Sequence, residues 1–253
     1  MNWSHLMAAL LSCVLTPAWS ASYRYSTSNN RLYVEGGGTA TLSALKAALP
    51  SAPLDLVDAG ARIWLLRANL YVTQGTTLKL NGSAAAGDVN ELRMKSDSSG
   101  FVELTADHGT LDIRNTLIRS WNASASGPDT NHSDGRAFVR VRSRLATDGV
   151  TALESRMDVI DSEVAYLGYN AAETQGLVWK VLGSTSTVPD LFDRVQVRGD
   201  ILRSNLHHNY YGMYSYGHEG GQWLDNTVAY NVGYGFDPHD DSDNLLIEGN
   251  YVH

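Results

Sequence analysis

From Arg62 onward the chain breaks into short apolar runs, each closed by Gly, Asn, Asp or Ser: Ile63-Trp64-Leu65-Leu66, Leu78-Lys79-Leu80, Phe101-Val102-Glu103-Leu104 and Leu111-Asp112-Ile113. This texture predicts short strands separated by tight turns. One helix-like stretch, Leu42 to Leu49, is ended by Pro50 and follows the glycine run Gly36-Gly37-Gly38; it reads as part of a cap. The strands also repeat. Leu202, Leu206 and Asn209 match Leu224, Val228 and Asn231 at an offset of 22, and Tyr211-Gly212-Met213 matches Tyr234-Gly235-Phe236 at an offset of 23. A further copy begins at Leu246-Ile247-Glu248-Gly249-Asn250, and Ile160 to Tyr166 resembles Leu224 to Tyr230 type by type.

A period in the low twenties with aliphatic residues two apart and Asn or Gly at corners suits a coil of parallel β-helix. No coil buries its own inward face, so neighbours must stack roughly 4.8 Å apart, with corner asparagines bonding along the stack. The expected fold is therefore all-β, a right-handed parallel β-helix (solenoid) over residues 62–253, with residues 21–61 as an N-terminal helix and cap region. From residue 62 this allows roughly eight coils. The repeat stops at His253 within a copy, so the solenoid is expected to be incomplete at its C-terminal end. A β-sandwich is the competing architecture, but its strands would show no such offset identity.

Composition narrows the class. With 253 residues, 43% hydrophobic and 18% charged, the chain can bury a sizeable core. A net charge of -8 argues against a nucleic-acid binder, although a basic groove can sit on an acidic protein. Residues 1–20 hold no Lys, Arg, Asp or Glu; they carry the apolar stretch Leu6 to Leu15 and then small residues around Ser20 and Ala21. This reads as a secretory signal peptide, too short to span a membrane and removed on export. The single cysteine, Cys13, lies inside it, so the exported portion has no disulfide and no Cys-based metal site.

Under the 23-residue register, Tyr214 stacks with Asp237, Tyr216 with His239 and His218 with Asp241, all facing outward, while Met213, Phe236, Ser215 and Pro238 face inward. Two phenols, a carboxylate and an imidazole on one face suit sugar binding and proton transfer, with a merely solvated polar ladder as the alternative. Pro238 weighs for a site, because proline inside a stacked strand is confined to edges and bulges.

The run Asp237-Pro238-His239-Asp240, set in Tyr234-Gly235-Phe236 and Asp241-Ser242, resembles the signature of the periplasmic mannuronan C5-epimerases of alginate-producing bacteria. The likeness extends to Trp64-Leu65-Leu66-Arg67, to Arg156 through Tyr169 and to Trp179-Lys180-Val181. It implies an isomerase that converts β-D-mannuronate to α-L-guluronate within polymannuronate during alginate biosynthesis in the periplasm, without a cofactor. The partners it implies are the polysaccharide and proteins of an alginate export complex. Inversion at C5 requires a neutralised carboxylate, a base and a proton returned to the other face. By resemblance His239 is the base, with Asp237 or Asp240 orienting it, and water or a phenol of Tyr214 or Tyr216 is the donor. The family's carboxylate-neutralising arginine belongs to the coil after the motif, beyond His253, so the 253-residue chain alone is expected to show little or no epimerase activity.

Three further features have two readings each. Arg140, Arg142 and Arg144 alternate onto one strand face and either line a groove for uronate carboxylates or form a solvated face. Lys180 beside Trp179 has the same two readings, with substrate contact favoured. His207, His208 and His218 with Glu219, and the run Asp240 to Asp243, fit neither a zinc nor a calcium spacing and read as turn residues, so no metal is expected. His208 and His218 remain candidates for substrate contact. Two alternatives to epimerisation follow from the same residues: a polysaccharide lyase acting by β-elimination, and a non-catalytic alginate-binding or export scaffold.

Overall fold

The computed structural model describes residues 20–253. The signal peptide expected over residues 1–20 lies almost wholly outside the described residues. Three sheets of nine, eight and ten strands account for nearly all the regular structure, and their long-range pairs are parallel. The chain visits the sheets in rotation. Strand Asn69–Thr73 lies in the first, Thr77–Asn81 in the second and Glu91–Asp97 in the third; Glu103–Asp107 then returns to the first beside Asn69–Thr73. Among the described residues seven such circuits run from Arg31–Glu35 to Tyr251–Val252.

Every circuit contributes the same inward positions. In the first sheet Leu32, Leu70, Leu104, Val139 and Leu177 stand in one column. In the second it is Leu80, Ile113, Val159, Ile201 and Trp223, and in the third Trp64, Leu92, Ile118, Val164, Leu206 and Val228. All are buried in a single cluster. At about 1.5–3 kcal/mol for each large aliphatic side chain taken from water, these columns are the main force holding one circuit on the next.

The corners supply the register. Backbone N–H groups there are capped by the side chain one circuit on: Thr116 by Ser162 Oγ (3.2 Å), Ser162 by Ser204 Oγ (3.1 Å), Ser204 by Asn226 Oδ1 (2.9 Å) and Asn226 by Asn250 Oδ1 (2.9 Å). The sequence separations of these four bonds are 46, 42, 22 and 24. A circuit in the low twenties therefore holds only near the C-terminal end. Earlier circuits carry insertions at their corners, which is why only six full circuits follow residue 62, where eight were expected.

The ladders also reach further toward the N-terminus than residue 62. Arg31–Glu35 already pairs in parallel with Asn69–Thr73, and Thr39–Thr41 with Thr77–Asn81, because Leu32, Val34 and Ala40 alternate inward and are buried. Strand Ser22–Ser26 folds back antiparallel on Arg31–Glu35 and closes that edge. The helix expected near residue 42 forms over Leu42–Ala48. Thr41 Oγ1 accepts the Ala44 N–H (3.2 Å) at its start, and Leu42 and Leu45 are buried beneath it.

Candidate functional site

The outward face of the first sheet carries the chemistry. Its strands Phe138–Leu145, Leu177–Val181, Met213–Tyr216 and Phe236–Pro238 stack in register, which aligns two outward rows. Arg140, Val178, Tyr214 and Asp237 form one; Arg142, Lys180 and Tyr216 form the other, which His239 continues. Tyr214 faces Asp237 across the ladder as the repeat predicts, and the His239 N–H donates to Ser215 O (2.9 Å).

The His239 ring lies against both phenols, with centroids 5.8 Å from Tyr214 and 6.2 Å from Tyr216 and tilts of 37° and 29°. Its Nδ1 is 2.9 Å from the Asp240 N–H and 3.1 Å from Asp240 Oδ1. Lys180 extends its ammonium to 3.2 Å from the Tyr216 ring centre, and Phe192 meets that ring edge-on at 5.1 Å. Burial pushes the Tyr214 hydroxyl up to about 12, with Asp237 adding to the shift, and raises Tyr216 as well. Both phenols are therefore protonated at neutral pH. Burial also raises Asp237, against the opposing effect of His239, and lowers Lys180, against the opposing effects of Glu173 and Asp240.

Arg140 and Arg142 lie on this same face, already engaged. Arg140 Nη2 donates to Glu103 (2.6 Å) and its Nε to Thr105 (3.1 Å), while Arg142 Nη2 is 3.5 Å from Asp107. Lys180 forms no ion pair among the described residues. The face is open rather than enclosed, and at its Arg140 end it merges with a cavity of about 320 Å³ walled by Phe101, Phe138 and Tyr169. The larger hollow of about 480 Å³ lies at the corner of the second and third sheets around Asp161 and Arg203, away from this chemistry.

Two expected contributors are elsewhere. His218 is fully buried between Trp179 (5.8 Å, 7°) and Trp223 (5.7 Å), its Nε2–H donating to Gly199 O (3.0 Å). Gly217, at φ +72°, ends the in-and-out alternation and turns His218 inward. A turn across Asp241 and Ser242 then shifts the pairing, so that His218 O accepts from Asp243 N–H and Asp241 does not oppose it. His208 sits at the corner leaving the third sheet, its ring against Tyr166 (5.0 Å) and Tyr230 (5.3 Å), and is not brought to the His239 face. The left-handed backbone of His208 (φ +56°) aims it along that corner.

The structure adds residues the sequence did not single out. Tyr211 packs on Tyr234 (5.1 Å), its hydroxyl raised by burial with Tyr210 and Asp237 adding to the shift, so two more phenols flank the motif. Glu173 reaches the arginine row from a loop. The tyrosines were visible only as a repeat match, and nothing in the local sequence marks Glu173. Among the described residues no group of three or more His, Cys, Asp or Glu side chains converges as a metal site, and no helix is long and apolar enough to cross a membrane.

No family model matches the chain. It is similar to mannuronan C5-epimerases: 25% identical over 222 residues to that of Pseudomonas aeruginosa, and 26% over 225 residues to mannuronan C5-epimerase AlgG of Azotobacter vinelandii. Each alignment takes in 88% of this chain but only 37% and 38% of the relative, so the chain spans well under half the length of these proteins. The resemblance read from the motif is borne out. The crystal structure of the periplasmic alginate epimerase AlgG has the same fold over 87% of the chain and 47% of AlgG, with a TM-score of 0.64 at 20% identity.

Proposed function

We propose that this chain carries the base-bearing part of a mannuronan C5-epimerase, and that its three sheets wind as a right-handed parallel β-helix presenting the first-sheet face to polymannuronate. The observation that carries the reading is His239, held over Tyr214 and Tyr216 with Asp240 at its Nδ1, on a face lined by Lys180 and the arginine row. The Asp240 N–H donates to Nδ1 (2.9 Å) and the Asp240 carboxylate lies 3.1 Å from the same nitrogen, so this residue orients the ring and stabilises the imidazolium that forms when His239 takes the C5 proton. The polymer lies along the stack, so that successive uronates meet successive strands. Lys180 faces a carboxylate near the reacting sugar, and charge that builds there as C5 loses its proton is met by the ammonium. Tyr214 and Tyr216 reach up from the same sheet as His239. The proton returned to the opposite face of C5 therefore comes from water on the open side. Tyr214, protonated through neutral pH, donates a hydrogen bond to the sugar instead. Export by the leader places the reaction in the periplasm, with export-complex proteins as partners.

Incubation of polymannuronate in D2O with the protein as its native gene expresses it, since the 253-residue chain alone is expected to show little or no activity, tests this. Guluronate residues bearing deuterium at C5 are expected by NMR, and none with His239→Asn. Ultraviolet absorbance from an unsaturated product would make the chain a lyase. Polymer binding without any change of composition would make it a scaffold.

A further inference from the structure

The arginine row of the first sheet is neutralised by an acid that does not belong to the sheet. Arg140, Arg142 and Arg144 follow one another on the outward face of Phe138–Leu145, and the neighbouring strand offers them two carboxylates. Glu103 accepts from Arg140 (2.6 Å), and Asp107 lies 3.5 Å from Arg142 and 3.1 Å from Arg144. Three guanidiniums against two carboxylates leave one positive charge in surplus. Glu173 cancels it from the loop that joins Glu163–Ala165 to Leu177–Val181, with its Oε2 3.7 Å from Arg140 Nη1 and 3.9 Å from Arg142 Nη1.

These two contacts differ from the others. Both exceed hydrogen-bond length, so the Glu173 carboxylate neutralises the guanidiniums without the directional bonds Arg140 makes to Glu103 and Thr105; Arg140 Nη1 donates instead to the Glu173 carbonyl (3.5 Å). Arg142 Nε is buried and has no hydrogen-bond partner among the described residues, so the site has donor capacity that Glu173 leaves unused. The loop itself is firmly tied. The Tyr169 N–H donates to Thr174 O (3.0 Å), Thr174 Oγ1 donates to Ala171 O (2.9 Å), and the Tyr169 ring packs on Phe101 (5.1 Å). Glu173 holds a left-handed φ of +60°, a conformation more often given to Gly or Asn. The loop thus aims one carboxylate loosely at two cations.

We propose that the Glu173 carboxylate occupies the position of a substrate uronate carboxylate between Arg140 and Arg142, and is displaced when the polymer binds. Glu173 is then an affinity-setting residue. It keeps the row uncharged in the free protein, and a polyanion presenting its charges at that position, in number, competes it away. The influence extends toward His239, because Glu173 also acts electrostatically on Lys180 and Tyr214. This inference rests on the polyuronate reading above.

Binding of polymannuronate and of dextran sulfate, a synthetic polyanion without uronate, to wild type, Glu173→Gln and Glu163→Gln separates the possibilities. Glu163 pairs with His207 on the third sheet and controls for the change of net charge. Glu173→Gln is expected to bind both polymers about tenfold more tightly at low ionic strength, with the gain vanishing near ~0.5 M salt, and Glu163→Gln to stay within about twofold of wild type. Unchanged or weaker binding by Glu173→Gln overturns the proposal, as does an equal gain from Glu163→Gln. Tighter dextran sulfate binding with no polymannuronate binding by any variant leaves the displacement intact and removes the uronate reading. Binding of neither polymer removes both.

Discussion

Replacing Asn209 with alanine tests whether corner side chains, rather than strand propensity, fix the register of the circuits. Asn209 is fully buried. Its Oδ1 accepts the Leu167 N–H at 2.9 Å and its Nδ2 donates to Val164 O at 3.0 Å, both in the preceding circuit. Alanine strands a buried donor and a buried acceptor, each at about 1–3 kcal/mol, and leaves a small void, for a loss of about 3–5 kcal/mol. Asn231, one circuit on, makes the same two kinds of bond, to the Asn209 N–H (2.9 Å) and to Leu206 O (3.1 Å), but is only partly buried. Water can replace it, so Asn231→Ala should cost about 1 kcal/mol. Urea titrations followed by circular dichroism read both, as midpoint shifts at unchanged slope. If Asn209→Ala loses less than about 1 kcal/mol, or no more than Asn231→Ala, the corner side chains do not set the register.

Three other outcomes follow from named contacts. Burial holds the folded pKa of His218 at about 4 against an ordinary 6.5, outweighing its bond to Gly199 and nearby Asp200. Between those values the unfolded chain takes up a proton that the folded chain refuses, so stability falls as pH drops from about 6.5 to about 4, by up to roughly 3 kcal/mol. His218→Phe should flatten that fall, and parallel stability curves for the two proteins would refute the assignment. A Cβ on Gly212 would sit 2.3 Å from Gly235 O of the next circuit, so Gly212→Ala should destabilise by about 2–3 kcal/mol, and an unshifted melting temperature would show that the contact yields. In the natively expressed protein, Asp240→Asn removes the carboxylate 3.1 Å from His239 Nδ1 that stabilises the imidazolium and should lower kcat about 100-fold with KM little changed; a change confined to KM would place Asp240 in binding instead.

How far the sequence could be read depended on where the chain had insertions. The final circuits have none of consequence, so the offsets there placed Tyr214 opposite Asp237, and matched Ile160 to Tyr166 with a segment that proves to lie two circuits away in the same sheets. Upstream, bonds spanning 46 and 42 residues join the same corner, and no fixed period survives. Alternation could not reveal His218 turning inward, since one glycine at φ +72° suffices and Gly217 is unremarkable among many glycines. Glu173 was illegible for a different reason. Its relation to Arg140 is made in space, by a loop whose course depends on Tyr169 packing against Phe101.

Pro238 explains how two neighbours, His239 and Asp240, come to act together. In a continuing strand they would point to opposite sides, with His239 outward and Asp240 into the core. The His239 N–H bonds back to Ser215, so the alternate nitrogen, that of Pro238, faces the other edge, where its missing hydrogen costs no bond to strand Met213–Tyr216. The strand ends there, and the Ser242 N–H closes a turn onto His239 O. Released from the alternation, Asp240 swings out beside the imidazole, and both of its polar groups come within reach of Nδ1. Past the proline the ladder thus slips by one residue, with Asp240 O rather than His239 O accepting the Gly217 N–H (2.9 Å), and the Asp240 carboxylate comes to lie beside the imidazole. A substitution that lets the strand run on, such as Pro238→Val, should keep the first-sheet pairing while drawing Asp240 inward. Its signature is loss of activity as large as that of Asp240→Asn with little loss of stability. Full activity in Pro238→Val would mean that the turn forms without the proline.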